Sequence, residues 1–253
     1  MKTLYFTGTG NSLYLAKQIG GELFSIPQLI KDKTYNIEDD VVGFVVPCYY
    51  YTLPRLVEKY IRQANIKADY VFLILNNGGG GIVAAMTIIE NLFKEKGFTH
   101  YYLNKIVMVD NFLPCYDMIY EKKVKNNQLL EPEITKIKED IHNKLEFNID
   151  EPIKDYHNLP EYNLNELHMD QIDEDYTIDL DSCNGCGICV KVCPVGNIKL
   201  ENTIPNFFHY CEWCMSCIHN CPKRAIHIKN EINDERFINS DISLNEIIRS
   251  NEQ

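Results

Sequence analysis

Residues 183–194 read Cys183-Asn184-Gly185-Cys186-Gly187-Ile188-Cys189-Val190-Lys191-Val192-Cys193-Pro194. Residues 211–222 repeat the spacing C-x2-C-x2-C-x3-C-P with Cys211, Cys214, Cys217, Cys221 and Pro222. Eight of the chain's ten cysteines fall in these two runs, and Cys48 and Cys115 lie alone upstream. Two intervening residues let one tight loop present three thiolates to three irons. Gly185 and Gly187 let backbone come close to sulfur and leave amides free to bond it. A structural zinc site pairs two C-x2-C knuckles across a spacer and has no use for a third cysteine and a C-P ending, twice over. The spacing therefore predicts 4Fe–4S clusters and a small cysteine-built domain.

The remaining composition narrows the function. The chain has 253 residues, a prior of one to two domains, and its 45% hydrophobic content excludes wholesale disorder. Asp and Glu number 36 against 25 Lys and Arg, a net charge of −11 that argues against a general nucleic-acid binder. No apolar run is long enough to span a membrane, and the N-terminal segment lacks the small-residue cleavage site of a signal peptide. A cytoplasmic location is expected. There thiols stay reduced, so the cysteines do not read as a disulfide framework. Between 148 and 181 stand eleven acids and one base, Lys154. That stretch reads as a solvated linker, 148–179, or as a docking surface for a basic redox partner. It separates residues 1–147 from a cluster domain at 180–229 and a tail at 230–253. The tail carries Ile242, Leu244, Ile247 and Ile248, and its sequence leaves open whether it forms a helix or frays.

The first half alternates strand-like and helix-like patterns. Thr3–Phe6, Glu22–Ile26, Val41–Val46, Tyr70–Leu75 and Tyr101–Val109 read as strands. Helical faces run through Leu13, Ala16 and Ile19, through Leu56, Val57, Tyr60 and Ile61, through Val83, Met86, Ile89 and Leu92, and through Ile134, Ile137, Ile141 and Leu145. Runs apolar on both faces, alternating with helices, imply a doubly wound five-stranded parallel sheet. After the first strand comes Thr7-Gly8-Thr9-Gly10-Asn11-Ser12, opening a helix. Small and hydroxyl residues there expose backbone N–H groups at the positive end of the helix dipole, which is a phosphate site. The loop lacks the Lys of a Walker A motif and the third glycine of a dinucleotide fingerprint. An ordinary Gly-rich N-cap is the plain alternative. The third strand ends in Pro47-Cys48-Tyr49-Tyr50-Tyr51 and the fourth in Asn76-Asn77-Gly78-Gly79-Gly80-Gly81, both at the carboxyl edge where open α/β sheets bind ligands.

Residues 180–229 resemble the bacterial two-cluster ferredoxins. The resemblance implies interleaved ligation, with Cys183, Cys186, Cys189 and Cys221 on one cluster and Cys211, Cys214, Cys217 and Cys193 on the other. Residues 1–147 resemble a flavodoxin in order, length and the T-x-T-G-x-S loop. That resemblance implies an FMN whose phosphate sits on Thr7–Ser12. Its ring lies between the Tyr49, Tyr50, Tyr51 loop and the Asn76–Gly80 loop, with one tyrosine stacked and backbone groups reaching N3, O4 and N5. The whole chain is similar to flavodoxin–ferredoxin fusion proteins of anaerobic bacteria, which implies electron transfer between two 4Fe–4S clusters and FMN.

Two alternatives remain: a flavoenzyme reducing a small molecule at FMN, and a flavin-free module that docks a ferredoxin. The chain has no H-E-x-x-H helix, no G-x-S-x-G elbow and no NAD(P)-binding unit. Cys48 reads as a filler or a thiol beside the flavin. Residues 111–130 read as a lid or a surface helix. The single Trp, Trp213, reads as a shield for the second cluster or an interface residue.

Overall fold

A computed structural model describes residues 1–80, 82–147 and 173–253. In the first half, β1 (Lys2–Tyr5) leads to α1 (Asn11–Ile19), β2 (Glu22–Ser25), α2 (Ile26–Lys31), β3 (Asn36–Glu38) and β4 (Val41–Pro47). There follow α3 (Arg55–Gln63), β5 (Asn65–Lys67), β6 (Tyr70–Asn77), α4 (Val83–Glu95), β7 (Tyr101–Val107), α5 (Met118–Val124), a 3-10 turn (Asn127–Leu130) and α6 (Glu131–His142). The main sheet has the order β2-β1-β4-β6-β7, parallel throughout. Counted along its own strands this is 2-1-3-4-5, the flavodoxin-like order. β6 is buried at every position and β4 at all but its first, as central parallel strands must be. Gly43 has a packing reason within β4: a Cβ there would fall 1.8 Å from the Phe72 ring of β6.

Local chemistry sets the boundaries that periodicity missed. The second strand stops at Ser25 because Ile26-Pro27 starts the unexpected α2, with Pro in its first turn. The fifth stops at Val107, two residues before its expected end. The last helix of this half ends at His142, so Leu145 leaves the helix face, and its carbonyl accepts from the Tyr70 hydroxyl at 2.6 Å. β3 and β5 pair in a short side ribbon the sequence did not announce.

The second half holds β8 (Tyr176–Ile178), α7 (Ile188–Lys191), β9 (Ile198–Glu201), β10 (Ile204–Phe207), α8 (Ser216–His219), β11 (Ile226–Ile228) and α9 (Leu244–Asn251). β8 pairs antiparallel with β11, and β9 with β10. This small α+β unit begins earlier than residue 180. Asp173, counted with the linker, is buried and accepts from Asn197 Nδ2 at 2.6 Å and pairs with His209 Nδ1 at 2.8 Å. The rest of the acidic docking stretch, 148–172, lies outside the described residues.

The tail resolves into α9, closed by a Ser243–Glu246 capping box. It packs on the first half: Tyr5 Oη meets Ser250 Oγ at 2.8 Å, and Asn251 Nδ2 donates to Thr7 O at 2.8 Å. The two halves also share a core. Val109, Leu113 and Met118 pack in one cluster with Cys189, Cys211, Met215 and Ile218. No helix among the described residues is long and apolar enough to cross a membrane.

Candidate functional site

The two cysteine loops use the same backbone with different side chains. Gly185 and Gly187 of the first loop have φ of 67° and 73°. The matching positions of the second loop are Trp213 and Met215, with φ of 59° and 54°. Left-handed backbone costs a non-glycine residue roughly 1–2 kcal/mol, so the second loop holds two bulky side chains under strain that glycine would relieve. Backbone N–H groups point at sulfur in both runs: Asn197 N to Cys193 Sγ at 3.2 Å, Ala225 N to Cys221 Sγ at 3.3 Å and Trp213 N to Cys211 Sγ at 3.4 Å. Such bonds stabilise a thiolate and tune a cluster.

The thiols sort into two neighbourhoods. Burial, and then the charges of Cys221, Cys186 and Cys183, push the Cys189 thiol up to about 12. Burial raises Cys211, Cys214 and Cys217, and Cys193 recurs among the charges adding to each. Cys217 also feels Cys189, where the two sets approach. Iron binding has to displace protons that are held this firmly. Among the described residues, no group of three or more His, Cys, Asp or Glu side chains is placed to hold a single metal ion. The sets differ in exposure. Cys186 is exposed and Cys183 and Cys221 are half-buried, whereas Cys193, Cys211, Cys214 and Cys217 are buried.

The second loop is wedged against the Thr7–Ser12 loop. A Cβ on Gly8 would lie 2.4 Å from the Cys214 carbonyl oxygen. Ser216 Oγ donates to Gly8 O at 2.7 Å, Asn239 N to Thr9 O at 2.8 Å, and Asn251 to Thr7 O as above. The loop carbonyls are thus held from the C-terminal half. Gly10, with φ of 102°, sits at the N-cap of α1, whose first-turn amides have no partner inside the helix. Each loop hydroxyl accepts one bond: Thr7 Oγ1 from Gly10 N at 2.9 Å, Thr9 Oγ1 from Asn111 Nδ2 at 3.2 Å, and Ser12 Oγ from Asn76 Nδ2 at 2.7 Å. A hydroxyl that has accepted keeps its own hydrogen to donate. Three O–H donors beside free amides suit an anion. All three line a small cavity together with Gly8, Asn11, Pro47, Asn76 and Asp110. Asn76 serves there as a brace for Ser12.

This cradle adjoins a cavity of about 220 Å³ and shares Cys48, Tyr49, Asn77, Gly78, Asp110 and Asn111 with it. Tyr49 and Thr52 exchange backbone bonds of 2.9 Å around Tyr50 and Tyr51, whose φ values are 50° and 63°. That is a two-residue hairpin turn with both central residues left-handed, a place that favours Asn-Gly. It holds both rings against the cavity. Gly78 and Gly80 line it, Gly79 does not, and Gly81 is outside the described residues. A Cβ on Gly78 would strike Asp110 Oδ2 at 2.0 Å, which explains the missing side chain.

The stretch 111–130 proves to be wall and brace. Phe112, Cys115 and Tyr116 line the cavity. From α5, Lys125 Nζ donates to Gly78 O at 2.8 Å and Glu121 Oε2 accepts from Asp110 N at 2.8 Å. Cys48 is half-buried and lines both cavities, and burial pushes its thiol up to about 12, away from the reactive thiolate. Burial also raises the Asp110 carboxyl above the ordinary carboxylate range where the two cavities meet.

Two buried polar atoms of residues lining the larger cavity have no partner: Asn77 Oδ1, an acceptor, and Trp213 Nε1, a donor. Flavin carries a complementary N3–H donor and ring carbonyl acceptors along one edge. With the hydroxyl cradle next door, the residues present fit FMN. Of the two readings of Trp213, the ring contacts bear on the interface. The residue follows Cys211 and forms an interface, stacking on Phe112 at 5.7 Å and meeting Tyr50 edge-on at 4.3 Å. The tail contacts from Asn239 and Asn251, and Ser216 beyond Cys214, were not legible as site residues. The one available signal was bulk at Trp213 and Met215 where the first repeat has glycine.

Comparison with known proteins bears on the C-terminal half. The model of a 4Fe-4S binding domain matches residues 176–199. Pyruvate synthase subunit PorD of Methanothermobacter marburgensis is 37% identical over 54 residues, 21% of this chain and 64% of that protein, so the chain spans just under two thirds of it. A ferredoxin of Methanothermococcus thermolithotrophicus is 39% identical over 57 residues, 21% of this chain and 95% of the ferredoxin. Among solved structures, the Trp repressor binding protein of Bacillus subtilis aligns at 14% identity with a TM-score of 0.29, covering 42% of this chain and 85% of that one. The flavodoxin-like assignment of the first half rests on its strand order. Through its cysteine-bearing segment, the chain belongs to the ferredoxin family.

Proposed function

We propose that the protein transfers electrons between two 4Fe–4S clusters and one FMN. The observation that carries this reading is the continuous cavity pair. Three hydroxyl donors line one end, two unpartnered buried polar atoms stand at the other, and the wall between ring site and cluster loop is Trp213. Thr7, Thr9, Ser12 and the first amides of α1 would hold the phosphate, and Tyr49–Tyr51, Asn77, Gly78 and Trp213 the ring. Bound there, FMN accepts one electron or two and so joins single-electron clusters to hydride-level chemistry. Cys183, Cys186, Cys189 and Cys221 serve one cluster, and Cys211, Cys214, Cys217 and Cys193 the other. Aromatic walls keep water from the ring, and N–H···S bonds adjust the clusters.

Anaerobic purification with iron, sulfide and flavin quantified tests this. Two cubanes give roughly eight irons per chain, with about one FMN from the single anion cradle. Replacing Thr9 and Ser12 together by Leu is expected to abolish FMN binding and leave iron unchanged; flavin that survives this pair refutes the phosphate assignment. A second reading, reduction of a small molecule at the ring cavity, is favoured by the half-buried Asp110, whose carboxyl is raised, beside Tyr116. It predicts oxidation of the reduced holoprotein by a small unsaturated acceptor, with D110N slower than wild type.

A further inference from the structure

The two cluster sets are not equivalent in their relation to the flavin site. Cys214 is packed into the core of the first half, and its carbonyl abuts Gly8 and accepts from Asn111 Nδ2 at 3.4 Å. Tyr49 lies close enough to Cys214 and Cys211 for their charges to act on its hydroxyl. Arg55 Nη2 donates to Cys211 O at 2.6 Å, and Glu212 Oε2 accepts from Leu56 N at 3.3 Å. The second loop is therefore fixed to the phosphate loop, to the turn after β4 and to the start of α3. Among the described residues the first loop meets the first half through apolar packing, Ile188 and Val192 lying in one cluster with Leu13 and Leu15, and not through the polar ties that hold the second. Its cavity is lined by residues 183–189 with Leu200, Pro205, 221–223, Ala225 and Ile226, all from the C-terminal half, and it carries the exposed Cys186.

Trp213 stands on the short route. It is next to Cys214 and two residues after Cys211, its amide bonds the Cys211 sulfur, and its ring lines the flavin cavity between Tyr50 and Phe112. Glycine occupies the matching position of the outer loop in the same backbone conformation, so the cluster fold itself does not demand an indole. The Trp213 indole N–H is buried without a protein partner.

We propose that Trp213 is the contact through which the Cys211–Cys217 cluster exchanges electrons with the flavin, and that the cluster bearing Cys186 is the outer end, facing a separate redox partner. The proposal rests on the FMN reading above. Each transfer oxidises one cluster by one electron and reduces the flavin by one, and no bond forms or breaks. The outer and inner clusters exchange across the Cys189–Cys217 approach.

The chain has a single Trp, so its emission reports this site alone. Three variants of the full holoprotein, W213F, W213L and W213G, test the contact. Adding FMN to flavin-depleted wild type is expected to quench the Trp emission; FMN that binds without quenching overturns the placement of the indole. In anaerobic stopped flow with limiting dithionite, W213L and W213G are expected to equilibrate cluster and flavin at least about tenfold more slowly, which is about 1.4 kcal/mol of barrier. W213F, which keeps the ring and loses the N–H, is expected to retain the rate while binding FMN more weakly. Wild-type rates in W213L and W213G carrying both cofactors overturn the proposal and leave the FMN reading intact. Failure of wild type to bind FMN defeats that reading instead.

The order of clusters has its own readout. Under limited oxidation followed by alkylation and mass spectrometry, Cys183, Cys186, Cys189 and Cys221 are expected to label first. Earlier labelling of Cys211 and Cys214 inverts the order.

Discussion

Gly8→Ala isolates the joint between the two halves. The backbone of Gly8 is not left-handed, so alanine brings no conformational penalty there, only volume. Its Cβ would sit 2.4 Å from Cys214 O and 3.1 Å from Cys214 Cβ, where ordinary contact begins near 3.4 Å. The obstacle is backbone, which cannot swing aside, so the cluster loop has to retreat by about 1 Å. Overpacking of this kind costs about 1–3 kcal/mol. The same retreat lengthens the 2.7 Å bond from Ser216 Oγ to Gly8 O, worth about 1 kcal/mol. The total of about 2–4 kcal/mol corresponds to a fall of roughly 4–16 °C in Tm for a chain of this size. The assay is a thermal melt of the anaerobic holoprotein alongside an FMN titration. Gly80→Ala is the control, because its Cβ meets only the Tyr51 ring at 3.6 Å; its stability is expected to stay within about 0.5 kcal/mol of wild type. A Gly8→Ala protein with unchanged Tm and unchanged FMN affinity refutes the docked arrangement.

Other perturbations separate further elements. Tyr50→Asn with Tyr51→Gly relieves about 1–2 kcal/mol of left-handed strain per residue and loses the Tyr50 edges to Trp213 and Phe112, each about 0.5–1.5 kcal/mol. Stability is expected to stay near wild type while FMN affinity drops at least about tenfold, read by parallel melts and titrations. Asp110, faced by Glu121, Lys125, Tyr116 and Cys48, is harder to ionise folded than unfolded. The native state then holds the proton more tightly, so this group makes stability fall as pH rises above the ordinary carboxylate range near 4. D110N is expected to flatten that slope in melts run from about pH 4 upward; an unchanged slope assigns the dependence elsewhere. Asn251→Ala removes the bond to Thr7 O and is expected to cost about 1–3 kcal/mol and to weaken FMN binding with iron content unchanged, measured by titration and iron assay.

The parts of this molecule that follow from neighbours along the chain were legible. Strands such as Val41–Pro47 are apolar on both faces, helices such as Arg55–Gln63 bury one stripe, and three cysteines within seven residues can only present themselves together. What stayed hidden depends on partners far apart in sequence. Nothing near Ser216 announces that its hydroxyl caps Gly8, and nothing near Asn239 announces Thr9. The tail was undecided because Ile242 and Ile247 need a distant groove to bury them. Asp173 looked like one more linker acid because its partners, Asn197 and His209, lie beyond the first cysteine run. The separate domains expected from composition share a core for the same reason.

The bond from Asn251 to Thr7 joins nearly the last residue of the chain to one of the first. Translation makes residue 251 after both cysteine runs, so the Thr7 carbonyl gains this support only once those runs exist. An anion taken up by the loop would then meet a cradle whose bracing depends on folding of the cysteine-bearing half.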